Sequence, residues 1–412
     1  MSLRVLMFGW EFPPYNSGGL GVACSGLARA LAKENVDILF VLPKHINIAE
    51  PSVRFLFAGI EQVAFKGVRT GLTPYRTAAE YSRWRSGEGD IYGENLFSEV
   101  LRYAALVRKL IEGEDFDIIH AHDWLSFPAG IEAKRISRKP LIVHVHATGF
   151  DQGGGEHADS RVYAIEKEGM EEADAVVAVS EYTRRMIIER YHIEEKKVHV
   201  VHNGIDVDFH TAEGGSYQNG VGPLPLKIPG YKIVLYVGRL TLQKGPDYFL
   251  RAAKRVLDEN PKTFFIIAGS GDMERQMIRL AAEIGIAENV FFSGFVRGAD
   301  LERLYRAADL FVLPSVSEPF GITPLESLLA DTPVLISKQS GVSEVITHAL
   351  KVDFWDTEEM ANKIISVLRY PPLKKQLSRS GKEEAQKLTW GKAAEKCVML
   401  YHRILAELRI TN

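Results

Sequence analysis

The chain has 412 residues, 46% of them apolar and 25% charged, a globular balance that excludes a disordered or collagen-like protein. Its 50 Lys and Arg against 53 Asp and Glu leave a formal net charge of -3, so there is no global electrostatic pull toward nucleic acid. The length suits two or three domains of roughly 150 residues each, and no solenoid or propeller period is present.

The chain opens with an apolar run from Leu3 to Trp10 that meets Glu11-Phe12-Pro13-Pro14. That run is too short for a signal sequence, and no later run reaches the roughly 18 apolar residues a membrane span needs. A cytoplasmic protein is the expectation, with weak peripheral membrane contact left open. The two cysteines, Cys24 and Cys397, lie near opposite ends of the chain without metal-ligand spacing, and read as reduced thiols.

Short β-rich runs alternate with helical patterns, which predicts parallel sheets with crossover helices. Strands are expected at 4–9, 36–42, 53–57, 118–121, 141–146, 175–179 and 198–202. Helical periodicity is readable at 21–34 and 95–112. The stretch 209–230 (FHTAEGGSYQNGVGPLPLKIPG) breaks the pattern and reads as a linker or surface loop. The alternation then resumes, with strands at 233–237, 264–268, 290–292, 310–313 and 334–336, and a largely helical pattern over 385–408. The simplest arrangement is two doubly wound domains facing each other across a cleft.

Four groups of residues suggest chemistry. Gly18, Gly19 and Gly21 follow the first strand and precede the first helix. Glycines there admit close backbone approach, and a helix N-terminus offers N–H groups to an anion, although a plain turn has the same composition. Arg239 and Lys244 share the loop after the first strand of the second half, where two cations suit a diphosphate as readily as they suit solvent. Glu318 and Glu326 stand eight residues apart in SEPFGITPLE. Pro324 marks a helix's first turn, so main-chain N–H groups from Phe320, Gly321, Ile322 and Thr323 can meet phosphate or sugar oxygens, and Glu326 can accept ribose hydroxyls. Finally, His120 and His122, and His144 and His146, each end a strand with both rings on one face. Four such rings can ligate zinc, but core or cleft histidines are the expected reading, with His146 the candidate sugar contact and no metal site.

Two further loops stand out. Tyr75, Arg76, Tyr81, Arg83, Trp84 and Arg85 form an aromatic and basic stretch suited to a sugar ring, an anionic surface or simple partial burial. Asp151 to Gly155 (DQGGG) reads as a mobile cleft loop.

In order along nearly the whole chain, these motifs resemble the retaining GT-B glycosyltransferases. The resemblance is to the large family of sucrose-phosphate synthases and mannosyltransferases, related to glycogen and starch synthases. It rests on the Gly18-Gly19 turn, Ile119-His120-Ala121-His122-Asp123-Trp124, the His146 loop, Val201-His202-Asn203-Gly204-Ile205-Asp206, Gly238-Arg239 with Lys244-Gly245, Gly269-Ser270-Gly271, the Glu318 to Glu326 motif and a helix near Trp390. It implies an acceptor-side Rossmann-like domain over 1–205, a nucleotide-sugar domain over 206–385 and a terminal helix over 386–412 that crosses back to the first domain.

The implied activity is metal-independent transfer of a hexose, glucose above all, from a nucleoside-diphosphate sugar to an α-glucan or small sugar. A lipid-linked or cell-envelope acceptor, or epimerisation on the same scaffold, are the alternatives. The resemblance gives Arg239 and Lys244 the leaving diphosphate, Glu318 the donor sugar, and Glu326 the ribose. It gives Phe320 to Thr323 the sugar and phosphate, Gly18 and Gly19 the phosphates, and His146 a sugar hydroxyl. The chain departs from the glycogen synthases at Asn16, where those enzymes carry lysine.

Overall fold

The structure, a computed structural model, describes residues 2–15, 18–60, 96–207 and 229–411. The aromatic and basic stretch around Trp84 and most of the Gly- and Pro-rich linker lie outside the described residues. The chain divides into two compact units. One comprises Met1–Gly149, Ala158–Gly204 and Trp390–Asn412, the other Phe150–His157 and Ile205–Thr389.

The first unit is built on one parallel sheet. In chain order its elements are β1 (Leu3–Phe8), α1 (Gly19–Lys33), β2 (Val36–Leu42), β3 (Arg54–Phe57), α2 (Leu96–Ile111), β4 (Ile118–His122), α3 (Phe127–Ser137) and β5 (Leu141–Val145). After the short turn α4 (Gly149–Gln152) come α5 (Ser160–Glu172), β6 (Ala175–Ala178), α6 (Glu181–Tyr191) and β7 (Val198–Val200). The strands lie in the order β3-β2-β1-β4-β5-β6-β7. Val5 of β1 pairs with Ile38 on one side and Ile118 on the other, so the direction of winding reverses between β1 and β4. Val5, Leu6, Met7 and Phe8 are all fully buried. Helices cover both sheet faces, which is why such strands read as continuous apolar runs rather than alternating ones.

The second unit repeats the plan. It contains β8 (Lys232–Val237), α7 (Pro246–Glu259), β9 (Thr263–Ala268), α8 (Glu274–Glu283), β10 (Val290–Gly294), α9 (Ala299–Ala307), β11 (Leu310–Leu313) and α10 (Ile322–Leu329). There follow β12 (Val334–Ser337), β13 (Leu350–Val352), α11 (Thr357–Arg369) and α12 (Pro371–Ala385). Its strand order is β10-β9-β8-β11-β12-β13, with the reversal between β8 and β11. The fold is therefore two Rossmann-like, doubly wound parallel sheets. In such sheets ligands bind beyond the carboxyl ends of the strands, where the winding reverses.

The expected strands all form, with ends shifted by a residue or two. The sequence reading lacked β13. Its three residues, Leu350-Lys351-Val352, are too few to show a pattern, and only pairing with β12 makes them a strand. The expected C-terminal helical pattern over 385–408 forms as one helix that starts five residues later and follows a separate helix. α12 ends at Ala385, and α13 (Trp390–Thr411) begins after a turn in which Ile205 N–H donates to Leu388 O.

α13 returns to the first unit and packs along α1. The contact depends on a missing side chain, because a Cβ on Gly26 would lie 2.3 Å from the Trp390 indole. Trp390 is buried there, and Cys397, Leu400 and Tyr401 continue the buried face. Among the described residues no helix is long and apolar enough to cross a membrane.

Gly26→Ala is expected to destabilise the first unit by about 1–3 kcal/mol, the usual cost of overpacking. Denaturant unfolding should show a lower midpoint at unchanged slope for the transition of that unit.

Candidate active site

In the second unit, two loops at the point of reversal form one cluster. After β8 the chain runs through Arg239 into a turn ending at Gly245, which precedes Pro246 at the start of α7. Gly245 sits at φ +60°, and a Cβ there would stand 2.3 Å from Pro314 O. Only glycine lets the two loops approach this closely. The main chain then ties them together, as Val316 N–H donates to Gln243 O at 2.9 Å. Tyr236 Oη donates to Arg239 O at 2.9 Å, and the Arg239 guanidinium reaches Gln243 Oε1 at 3.4 Å.

The charged centre of the cluster is the ion pair between Lys244 Nζ and Glu318 Oε2 at 2.5 Å. The Glu318 side chain is only 7% exposed and that of Lys244 16%. Ser315 Oγ donates to the same glutamate oxygen at 3.1 Å. A buried carboxylate is tolerable only with such partners. The Glu318 backbone is equally fixed: its N–H donates to Gln339 O at 3.0 Å and its carbonyl accepts from Gly341 N–H at 2.9 Å.

Phe320 and Gly321 lead from this loop into α10. Phe320 is buried, and its carbonyl accepts from Val342 N–H at 2.7 Å. Gly321 takes φ +102°, which favours glycine. Ile322 and Thr323 open the helix, Pro324 occupies its first turn, and no side chain caps it. The main-chain N–H groups of such a helix start favour negative charge. One turn on, Glu326 Oε2 accepts from Tyr305 Oη at 2.9 Å. Burial pushes the Glu326 carboxyl above the usual range, and the Tyr305 bond opposes that shift.

In the first unit, Gly18 caps α1 in extended conformation and Gly19 opens it. A Cβ on Gly19 would meet no atom of the described residues within 4 Å. His146 follows β5. Its N–H donates to Asp123 Oδ1 at 2.6 Å, and Ala147 N–H reaches the same oxygen at 3.3 Å. Asp123 is buried with φ +58°, held by its own N–H to His144 O at 2.9 Å. Glu166 steadies the far side of the loop by accepting Gly149 N–H at 2.9 Å.

The four histidines form a stacked column. His120 Nδ1 meets Tyr401 Oη at 2.6 Å and its Nε2 meets His144 Nδ1 at 3.2 Å. His122 Nδ1 meets His146 Nε2 at 2.9 Å. His122 Nε2, His144 Nε2 and His146 Nδ1 are buried and have no hydrogen-bond partner among the described residues. Two groups, Cys24 with His122 and His146, and His120 with His122 and His144, have ligand atoms within 4.8 Å of one another. Neighbouring rings stack, His120 on His144 with only 9° between planes and His144 on His146 with 16°. Imidazole lone pairs lie in the ring plane, so stacked rings direct them side by side rather than toward one point. Both nitrogens of His120 are also engaged. The donor set is that of paired imidazoles more than of a tetrahedral ion site.

The structure thus brings Arg239, Lys244, Glu318, Phe320, Gly321, Ile322, Thr323 and Glu326 into one unit around the ends of β8 and β11. Gly18, Gly19 and His146 lie in the other unit at the ends of β1 and β5. Sequence reasoning gave no role to Gln243, Ser315, Tyr305 or Asp123, whose hydrogen bonds hold these residues. Asp123 stood inside the HAHDW segment, Gln243 inside the loop from Arg239 to Lys244 and Ser315 at the start of the stretch that leads to Glu326, while Tyr305 carried no local signal.

Burial lowers all four rings, His120 and His146 to about 3 and His122 and His144 well below the ordinary value, with like-charge repulsion within the column adding to the effect on all but His146. The unfolded chain takes up these protons near pH 6.5 and the folded chain does not. Stability contributed by the neutral column is therefore complete above pH 6.5 and falls as the pH drops toward 3, by about 1.4 kcal/mol per pH unit for each ring that stays neutral. Thermal unfolding followed from pH 7.5 to pH 4 should show a steep decline below pH 6.5, and a flat profile would contradict the neutral column.

Comparison with known proteins agrees with this architecture. The glycosyl transferases group 1 family matches residues 225–384, and Glycosyltransferase Family 4 matches residues 17–209. A D-inositol 3-phosphate glycosyltransferase of Mycolicibacterium smegmatis is 30% identical over 308 residues, 71% of this chain and 69% of that protein. A glycogen synthase of Mycobacterium tuberculosis is 27% identical over 409 residues, 97% of this chain and 94% of that protein. Among solved structures, a sucrose-phosphate synthase of Thermosynechococcus elongatus superposes with a TM-score of 0.75 at 20% identity, covering 98% of this chain and all of that one. With two doubly wound sheets and these matches along its length, the chain belongs to the GT-B glycosyltransferases of group 1.

Proposed function

We propose that the protein is a retaining glycosyltransferase that moves a hexose, glucose above all, from a nucleoside-diphosphate sugar to an α-glucan or small sugar. The observation that carries this reading is the Lys244–Glu318 pair beside the uncapped start of α10. A cation, a carboxylate and main-chain N–H groups there suit a diphosphate joined to a sugar. The names of two relatives, glycogen synthase and sucrose-phosphate synthase, point the same way for the sugar.

In this reading an acceptor hydroxyl oxygen bonds to the anomeric carbon with retained configuration, the bond from that carbon to the diphosphate oxygen breaks, and the hydroxyl proton goes to the departing diphosphate, on whose oxygen negative charge grows. Arg239 and Lys244 face the growing charge. Such preorganised cations lower the barrier more than they strengthen ground-state binding. They also supply what a divalent ion would supply, so the transfer needs none. Glu318 holds Lys244 in place and turns toward the donor sugar once phosphate competes for the lysine. The main chain from Phe320 to Thr323 takes sugar and phosphate oxygens, and Glu326 takes the ribose hydroxyls. Gly18 and Gly19 present the backbone at the start of α1 to the phosphates. His146, the half-buried ring at the end of the column, is the side chain that reaches a sugar hydroxyl. The buried free thiols Cys24 and Cys397 fit a cytoplasmic enzyme.

UDP-, ADP- and GDP-sugars should be tested for thermal stabilisation and for hydrolysis or transfer, all in EDTA. One nucleotide sugar is expected to stabilise the protein and to be turned over. Lys244→Ala should lower kcat by roughly 100- to 1,000-fold, the usual loss for one charge-stabilising donor. Full turnover by Lys244→Ala, or no release of nucleoside diphosphate with any acceptor, would refute the assignment.

A further inference from the structure

The loop that follows His146 carries a buried carboxylate in its middle, Asp151. Residues Phe150–His157 leave the first stretch of chain and cluster with the second unit. The loop is tightly closed on itself, with Gly155 N–H donating to Phe150 O at 2.7 Å and Gly154 N–H to Asp151 O at 3.3 Å. Gly154 lies against Leu242 and Val316, one residue from each member of the pair of tied strand-end loops. Asp151 is fully buried, and its Oδ1 accepts the Ser317 hydroxyl at 2.5 Å. Ser317 is itself fully buried and immediately precedes Glu318.

Ser317 stands at a junction. Its N–H points to Gln243 O at 3.4 Å, next to the Val316 bond to the same carbonyl. Two residues earlier, Ser315 Oγ donates to Glu318 Oε2, the oxygen that also meets Lys244. The side chain of Ser317 is thus a handle by which this loop is held from outside its own main-chain bonds. A hydroxyl bond to a carboxylate is roughly twice as strong as one between neutral groups. A buried carboxylate is also expensive to place, so it is a poor choice for mere packing.

We propose that Asp151 is a positioning residue for transfer: through Ser317 it sets the backbone at 316–318 and hence the aim of the Glu318 carboxylate and its Lys244 partner. The inference rests on the glycosyltransferase reading above. It makes no contact between Asp151 and substrate necessary. It also assigns the DQGGG loop a role that its glycines alone do not reveal: Asp151 locks onto Ser317 while Gly154 fits between Leu242 and Val316.

The test is a double-mutant cycle on the purified full chain, with wild type and Lys244→Ala as references. Asp151→Ala and Ser317→Ala should each lower kcat at least 10-fold while the donor KM stays within about 3-fold, because misplacement of a reacting group by an ångström can cost two orders of magnitude. The double variant should be no slower than the slower single one, since both remove the same bond. Asp151→Asn should recover most of the rate, because its amide oxygen still accepts the Ser317 hydroxyl. A kcat within 2-fold of wild type for Asp151→Ala, multiplicative losses in the double variant, or an Asp151→Asn as slow as Asp151→Ala would each overturn the proposal. If Asp151→Ala does not fold, Ser317→Ala and Asp151→Asn decide it by the same criteria. Wild-type turnover together with an inactive Lys244→Ala and a fully active Asp151→Ala rejects only the positioning role. Absence of turnover in the wild type rejects both readings.

Discussion

The second unit is organised around one electrostatic requirement: a buried glutamate at the end of β11 must have a cation. Lys244 meets it from the end of β8, at 2.5 Å from Glu318. These strands are neighbours in the sheet although 73 residues separate Val237 from Leu310, so only the doubly wound order places their ends side by side. The approach sets further conditions. The loops must touch at Pro314 O, which demands glycine at 245, and Gln243 O must take up the N–H of Val316. Each condition is a covalent or hydrogen-bonding consequence of holding that pair out of water. A charge pair so enclosed gains little stability on balance. In the proposed transfer the pair has a chemical use, since the lysine is the cation that an incoming diphosphate recruits.

Glu326 is held differently. It has a neutral hydroxyl, Tyr305 Oη, where Glu318 has an ammonium. Burial raises its carboxyl, so the ionised form is less favoured than on a surface. Two carboxylates eight residues apart on one motif are thereby made unlike. One is committed to a charge pair, and the other keeps acceptor capacity for hydroxyl groups. The difference follows from which helix faces α10, because Tyr305 comes from α9, before β11, and Lys244 from the loop before α7.

The sheets were legible in the sequence because parallel strands buried on both faces are continuous apolar runs, and the runs at 36–42, 233–237 and 310–313 stand out from polar helices. β13 was not, because its three residues acquire strand character only from the register Leu335 to Leu350. At the site, the charged residues were legible by type and position, since Arg239, Lys244 and Glu318 follow strands. The groups that hold them were not. Tyr305 lies 21 residues from Glu326, and Asp151 lies 166 residues from Ser317, and neither pair leaves a local pattern. The start of the last helix at Trp390, rather than at 385, was hidden for a related reason. The residues around Leu388 are compatible with helix, and it is the bond from Ile205 to Leu388 O that turns the chain there.

The histidine column shows how strand alternation can create a polar interior. Spacing of two places His120 and His122 on one face of β4, and register places His144 directly beside His122. The same face receives Tyr401 from α13, whose packing on α1 depends on Gly26. Four rings so enclosed cannot carry charge near neutral pH, so they act as neutral dipoles that pair His120 with His144 and His122 with His146. Asp123 does not need to neutralise them and spends its oxygen on the main chain of His146 and Ala147 instead. The end of β5 is therefore fixed from two directions, by ring pairing and by backbone capture. A side chain constrained in this way has almost no rotational freedom left to lose when it meets a ligand, which is the physical reason a loop residue can be as well placed as one within a strand.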